Sequence, residues 1–199
     1  AALPAHPAYP GGAQRAAWHM AEAVRCFERV FGRKPRGCWP SEGAISAAAV
    51  REVDAAGFDW LATSTGVLRG SLEKSGIGIA TELAAQECQL NQAFAVHGSR
   101  VSAFFRHEAL SDLIGFSYSK WHGDDAVAHF VRELEGIEER TRAAQGRVLL
   151  VALDGENAWE HYPFNGYYFL NGLYASLVNH PLLRLATLSE VVDEQRAAA

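Results

Sequence analysis

Apolar residues recur three or four positions apart in the first third of the chain, at Ala17, Met20, Val24, Phe27 and Phe31. Charged side chains fill the positions between them, so the pattern predicts an amphipathic helix over residues 14–31. Gly32 follows where a helix typically ends. A second helix is predicted over residues 43–56, and Gly57 would end it.

Five short apolar runs predict β-strands, at residues 37–39, 58–63, 101–106, 148–153 and 185–188. Helical patterns around Phe130 and Leu173 lie between the later runs, and this alternation predicts a parallel α/β sheet. The run at 148–153 is apolar at every position, which is typical of a strand covered on both faces. The residues between the second and third runs, 64–100, are irregular and predict a long connection with partial helix. No linker or repeat is evident, so residues 1–199 are expected to form one domain.

Composition narrows the class of protein. The chain has 199 residues, of which 49% are hydrophobic and 21% charged, and its net charge is -5, which excludes disorder as the main state. It has no basic run for nucleic acid and no apolar stretch near the roughly 20 residues that span a bilayer. Three cysteines without a C-x-x-C pair predict neither a disulfide framework nor a thiolate zinc site, and a reducing cytoplasm is expected. Ala1 in place of Met leaves a processed or truncated start open.

Two acidic residues follow predicted strands, Glu42 after the first and Asp154 after the fourth. Parallel sheets and barrels collect their chemistry at the carboxyl ends of strands. Two carboxyl groups across a cleft are what cleavage of a glycosidic bond needs, and nearby rings such as Trp39, Trp159 and Tyr162 suit the C–H faces of sugars. The alternative is that the acids cap helices and the rings fill the core.

Two stretches are dense in polar and aromatic residues. One runs from Glu156 to Tyr162, and the other from Arg106 to Phe116. Arg106 ends a predicted strand and would hold a carboxylate or bind hydroxyl groups, or else form a surface ion pair. His6 is either a ligand-facing histidine or a loop residue. Residues 107–111 read HEALS, which is not the H-E-x-x-H zinc motif.

Three segments resemble glycoside hydrolase family 57, closest to its amylopullulanase-like and uncharacterised bacterial members. They are GCWPSEGAIS at 37–46, LSDLIGFSYSKW at 110–121 and LDGENAWEHYPFNGYYFLNGLY at 153–174. The resemblance runs from about residue 6 to residue 190. It implies an incomplete, seven-stranded (β/α) barrel and retaining cleavage of α-glucans without a cofactor or metal. By the same resemblance, Glu42 is the nucleophile and Asp154 the general acid/base, with their carboxyl groups about 5 to 5.5 Å apart. The residues expected to bind substrate are His6, Trp39, Arg106, Asp112, Glu156, Trp159, His161 and Tyr162.

The chain departs from the family at two places. Relatives read F-R-D-H-x-L-S-D where this chain has Phe105-Arg106-His107-Glu108 before Ala109 to Asp112, so the role of this loop is open. The His-Gln-Pro motif of the first barrel strand is absent, so the chain is expected to be a fragment that lacks the first strands.

Four functional readings stay open. The first is hydrolysis of α-glucans, as in an amylase or pullulanase. The second is transfer, as in a 4-α-glucanotransferase or branching enzyme, since these motifs do not decide what resolves the glycosyl-enzyme. The third is a non-catalytic carbohydrate-binding fragment. The last is a metal-dependent polysaccharide deacetylase with His6, His107 or Asp112 as ligands.

Overall fold

The structure is a computed structural model that describes residues 10–155 and 159–198. Its strands are β1 (Gly37–Cys38), β2 (Trp60–Ser64), β3 (Phe94–Ala95) and β4 (Ser102–Arg106). Its α-helices are α1 (Gly12–Phe31), α2 (Ala47–Ala55), α3 (Thr65–Lys74), α4 (Leu83–Leu90), α5 (Glu108–Asp112), α6 (Gly123–Thr141), α7 (Tyr167–Val178) and α8 (Leu188–Ala198). Short 3₁₀ turns cover Ser41–Gly43, Tyr118–Lys120, Trp159–His161 and Pro163–Gly166, and a π-helical turn covers Leu113–Ser117.

The strands form one mixed sheet in the order β1-β2-β4-β3. β1 pairs with β2 and β2 with β4, both in parallel, and the second pairing runs from Trp60 opposite Ser102 to Ser64 opposite Arg106. The predicted parallel α/β core is thus confirmed for these three strands. β3 differs, because it pairs antiparallel with the start of β4 and lies inside the stretch predicted as a connection. That stretch also contains α3 and α4.

The predicted strand at 148–153 is the first correction. In the described residues it makes one parallel bridge, Arg106 with Leu150, and no continuous ladder. β4 ends at Arg106 and the chain turns into α5, so no strand is left for the residues after Leu150 to pair with. Its side chains still alternate between two clusters, with Val148 and Leu150 in one and Leu149, Val151 and Leu153 in the other. They are half-buried rather than covered.

The predicted strand at 185–188 is the second correction, because residues 182–187 are irregular and α8 begins at Leu188. The reason is a capping box. The Thr187 hydroxyl accepts a hydrogen bond from the Glu190 N–H at 3.2 Å, and the Glu190 carboxylate accepts one from the Thr187 N–H at 2.6 Å. The T-x-x-E pattern therefore starts a helix at a run that is apolar enough to suggest a strand.

The first predicted helix is confirmed as α1, which ends at Phe31. Gly32 follows in the left-handed region at φ 66°, and its N–H donates to the Glu28 carbonyl. α2 begins four residues later than predicted, at Ala47, because the Ser46 hydroxyl accepts a hydrogen bond from the Ala49 N–H and caps it there.

Apolar side chains pack on both faces of the sheet. Leu61, Ala103 and Phe105 face a cluster that includes Val53 of α2 and Leu68 of α3. The other face of the sheet is covered differently, by a cluster in which Phe104 packs with the valines of α8. A third cluster joins α5, α6 and α7. Among the helices described, none combines the length and hydrophobicity needed to cross a bilayer.

Candidate active site

A cavity of about 760 Å³ opens where the parallel strands end. Glu42 lines it from the turn after β1, Ser64 from the end of β2, Arg106 from the end of β4 and Asp154 from the end of the 148–153 segment. The parallel strands bring their carboxyl ends to one edge and the 148–153 segment ends beside them, so Glu42 and Asp154, which are 112 positions apart in the chain, meet at one site. The two acids that the sequence singles out therefore line the same cavity.

The other described candidates line this cavity as well. The set comprises Trp39, Arg106, Asp112, Trp159, His161 and Tyr162. Two further candidates, His6 and Glu156, lie outside the described residues. The structure thus brings together every described residue that was expected to catalyse or to bind the glucan, while the roles assigned to them and the carboxyl separation of about 5 to 5.5 Å stay predictions.

Glu42 lies on a tight turn with an unusual backbone. It has φ 54° and ψ 21°, the left-handed region that residues with a side chain rarely occupy, and Gly43 follows with φ 64°. The Gly43 N–H donates to the Pro40 carbonyl at 2.8 Å, and the Ala44 N–H donates to the Ser41 carbonyl at 3.0 Å. A non-glycine residue held in this region is a feature that clusters at functional sites.

A buried threonine anchors the same turn. The Thr63 hydroxyl, on β2, donates to the Gly43 carbonyl at 2.5 Å. A Cβ on Gly43 would make an ordinary contact with the Trp39 indole nitrogen at 3.4 Å, so it is the positive φ of 64° that favours glycine here. The turn that carries Glu42 is therefore tied to the centre of the sheet.

Arg106 spans the floor between β4 and the Asp154 segment. Its Nε donates to the Ala152 carbonyl at 2.9 Å, and one terminal nitrogen contacts the Asp112 carboxylate at 2.6 Å. Only 20% of the Arg106 side chain is exposed. The sequence left open whether Arg106 holds a carboxylate, binds hydroxyl groups or forms a surface ion pair. In the structure it forms an ion pair with Asp112, and both residues line the cavity.

Trp159 and Tyr162 form an aromatic wall. Their ring centroids are 5.0 Å apart, and the Tyr162 ring lies 5.3 Å from that of Phe169. The Tyr162 hydroxyl donates to the Ile114 carbonyl at 2.5 Å, and burial raises the pKa of Tyr162 to about 12. Tyr162 contributes a fixed, neutral ring to the wall, because its hydroxyl is already bonded.

The wall rests on a left-handed turn. Phe164, Asn165 and Gly166 all have positive φ, at 53°, 52° and 76°. A Cβ at Gly166 would lie 3.0 Å from the Trp159 ring, tighter than an ordinary contact, so glycine suits both the packing of the indole and the positive φ. No periodicity in the sequence indicates this turn.

Sequence reasoning did not select several lining residues. Ser64 ends a strand and would have been found by the rule that selected Arg106. Gly115 and Phe116 end the second dense stretch but were not among the residues expected to bind substrate. They reach the cavity from the π-helical turn, a feature frequent at functional sites but without a sequence pattern. Glu160 also lines the cavity and stands beside selected residues.

The deacetylase hypothesis requires a group of metal ligands, and the described residues contain none. No three histidine, cysteine, aspartate or glutamate side chains there come together as a metal site. His107, a ligand in the deacetylase reading, is instead a helix cap, since its Nδ1 accepts a hydrogen bond from the Leu110 N–H at 3.2 Å.

Comparison with known proteins agrees with this architecture. The structure is similar to the crystal structure of a 4-alpha-glucanotransferase from Thermococcus litoralis, with a TM-score of 0.57 and 18% sequence identity. The match covers 87% of this chain but 24% of that one, so the chain spans about a quarter of the length of this relative. No curated protein sequence matches the chain significantly. The profile of Glycosyl hydrolase family 57 matches residues 4–199. The chain therefore belongs to glycosyl hydrolase family 57.

Proposed function

We propose that the chain forms the catalytic part of an enzyme that cleaves α-glucans with retention, within an incomplete (β/α) barrel. Glu42 attacks the anomeric carbon, while Asp154 protonates the departing glycosidic oxygen. Asp154 then acts as the base that activates the acceptor. The observation that carries this proposal is that one cavity contains both acids together with aromatic rings suited to sugar faces.

The acceptor in the second step distinguishes hydrolysis from transfer. Water yields a hydrolase, whereas a sugar hydroxyl yields a glucanotransferase or a branching enzyme. The glucanotransferase named among the structural neighbours supports transfer as the second candidate, because it shares this part of the fold. Both candidates use the same two carboxyl groups.

The test is a product analysis with the full-length polypeptide. We expect maltooligosaccharides or pullulan to be cleaved, and Asp154→Asn to lower turnover roughly 10²–10⁴-fold through loss of the general acid. Glu42→Gln, which removes the nucleophile, should abolish turnover. Hydrolysis would release new reducing ends, whereas transfer would give longer and shorter chains with the number of reducing ends unchanged.

Two carboxyl-to-amide changes on exposed helices serve as controls, Glu73→Gln on α3 and Asp124→Asn on α6. Both should keep wild-type turnover. If the Asp154 variant were as active as the wild type, the assignment of the proton donor would be wrong. Binding of glucan without any turnover in the wild type would favour the carbohydrate-binding reading.

A further inference from the structure

The segment that carries Asp154 is attached to the sheet in an unusual way. Strand pairing reaches only Leu150, whose carbonyl accepts a hydrogen bond from the His107 N–H at 2.7 Å. Beyond Leu150, the described hydrogen bonds that hold the segment come from side chains and not from a neighbouring strand. The Ala152 N–H donates to the Ser111 hydroxyl at 3.3 Å, and the Ala152 carbonyl accepts from Arg106 at 2.9 Å.

Ser111 is itself held in place. Its hydroxyl donates to the His107 carbonyl at 2.9 Å, one turn back in α5, and its side chain is 0% exposed. The oxygen thus donates to one backbone group and accepts from another, which uses its single proton and one lone pair. Ser111 does not line the cavity, so it cannot touch a bound sugar.

The position of Ala152 limits the position of Asp154, which lies two residues further along the chain. A chain extends at most about 3.6 Å per residue, so Asp154 begins within roughly 7 Å of the fixed Ala152. A displacement of about 1 Å at a reacting group costs roughly 100-fold in rate. Small shifts of Ala152 are therefore expected to move the carboxyl group of Asp154, the proposed proton donor.

We infer that Ser111 is a positioning residue, which sets the place of the Asp154 carboxyl group through the Ala152 N–H. The inference rests on the proposed function, because it takes Asp154 as the general acid. It also gives a role to the L-S-D part of α5, residues 110–112, whose role the sequence left open. Arg106 binds the carbonyl of the same residue, Ala152, but it lines the cavity, so the test is made on Ser111.

The experiment compares two substrates that differ in their need for an acid. Cleavage of maltopentaose requires protonation of the leaving oxygen, whereas fluoride leaves α-maltosyl fluoride without it. In the full-length enzyme, Ser111→Ala should lower kcat on maltopentaose roughly 10- to 100-fold with little change in KM. The first-turnover release of fluoride, which precedes the step that needs a base, should change less than about twofold.

Ser176→Ala is the matched control. Ser176 lies on α7 and donates to the Gly172 carbonyl one turn back at 2.9 Å, as Ser111 does to His107, but it touches no part of the 148–154 segment in the contacts described. It should leave both substrates unaffected. Ser111→Cys, whose sulfur keeps a weak acceptor, should fall between serine and alanine and provides the same comparison if the alanine variant does not fold.

The outcomes separate this inference from the proposed function. Asp154→Ala must itself show the selective loss on maltopentaose, and its failure to do so would overturn the role of Asp154. If Asp154→Ala shows that loss while the Ser111 variants behave like Ser176→Ala, the positioning role is wrong and the proposed function stands. Equal losses on both substrates in the Ser111 variants would indicate general structural damage and would likewise overturn the inference.

Discussion

His107 is the N-cap of α5, a position at which a ring nitrogen here replaces the more usual side-chain oxygen. Aspartate is a common N-cap, because its carboxylate accepts a hydrogen bond from a backbone N–H of the first turn. Here the unprotonated Nδ1 of His107 accepts the hydrogen bond from the Leu110 N–H that an N-cap oxygen would accept. Burial lowers the pKa of His107, against the pull of carboxylates such as Glu87 and Glu108, and so favours the neutral ring that can accept. His107 therefore caps α5 as an aspartate would.

This cap makes stability depend on pH. An unfolded histidine binds its proton near pH 6.5, whereas folded His107 binds it only at lower pH. Between these values the unfolded chain holds more protons, so the free energy of unfolding falls as the pH drops below about 6.5, by at most about 1.4 kcal/mol per pH unit. His107→Asn keeps a capping oxygen without a titrating group, and it should flatten this dependence in urea unfolding between pH 7.5 and 5.

His97→Asn, on an exposed turn, is the matched control and should keep the wild-type pH dependence. A wild-type dependence in the His107 variant would show that other groups cause it.

Several site residues could be selected from the sequence, because functional residues of parallel sheets usually lie at the carboxyl ends of the strands. Glu42, Arg106 and Asp154 all follow from it. The left-handed backbone of Glu42 does not, because it depends on Thr63 reaching the Gly43 carbonyl from another strand. Such tertiary hydrogen bonds leave no periodicity in the sequence.

At the scale of the element, four of the eight described α-helices (α1, α2, α6 and α7) and the three parallel strands were predictable, because their apolar spacing is regular. The two wrong strand predictions have different causes. Residues 148–153 lose their ladder where β4 ends, which depends on the neighbouring chain. Residues 185–188 overlap a capping box, T-x-x-E at 187–190. This pattern is present in the sequence and indicates the start of a helix, but the apolar run favoured a strand.

The pairing of β1 with β2 depends on one glycine. Gly37 lies opposite Trp60, and a Cβ at Gly37 would fall 2.0 Å from the indole carbons. Gly37→Ala should therefore lower the free energy of unfolding by about 1–3 kcal/mol, as overpacking does, and shift the Glu42 turn that follows β1. Urea unfolding measures the first effect.

Gly70→Ala provides the contrast. Gly70 lies inside α3 with open space around its Cα, so alanine should be neutral or stabilise the helix by about 0.5–1 kcal/mol. If the two alanine variants were equally stable, the contact between Gly37 and Trp60 would not be the constraint proposed.

At the scale of the whole molecule, α8 is joined to the sheet by charge as well as by apolar packing. Arg36 contacts Asp59 at 2.8 Å and Asp193 of α8 at 2.7 Å, while Arg196 of α8 reaches Asp59 at 2.9 Å. Burial opposes ionisation of Asp59, but the guanidinium groups of Arg36 and Arg196 outweigh it and hold its pKa below the usual value of 3.8. Asp59 is thus the centre of a network that connects distant parts of the chain.

Asp59→Asn should loosen α8. We expect amide hydrogen exchange over residues 188–198 to accelerate roughly fivefold, the equivalent of about 1 kcal/mol, while exchange in β2 and β4 changes less. In the wild type the same contribution is present above about pH 3.8 and is lost as the pH falls through the lower folded pKa of Asp59.

Glu194→Gln tests the specificity of this effect, because Glu194 lies on the same helix in an exposed pair with Arg184. Exchange in α8 should stay at the wild-type rate in this variant. Equal acceleration in both variants would mean that any lost charge on α8 has this effect.

The position of α8 has a consequence for synthesis on the ribosome. Phe104 and Trp60 are covered by a helix that starts 84 residues after Phe104, and Trp60 Nε1 bonds to Ser189 of that helix at 3.1 Å. As the chain emerges from its N-terminus, β1, β2 and β4 are available well before their second cover. We therefore expect nascent chains that stop before residue 188 to expose Phe104 and Trp60 to chaperones, because this face of the sheet is covered only after α8 has left the exit tunnel.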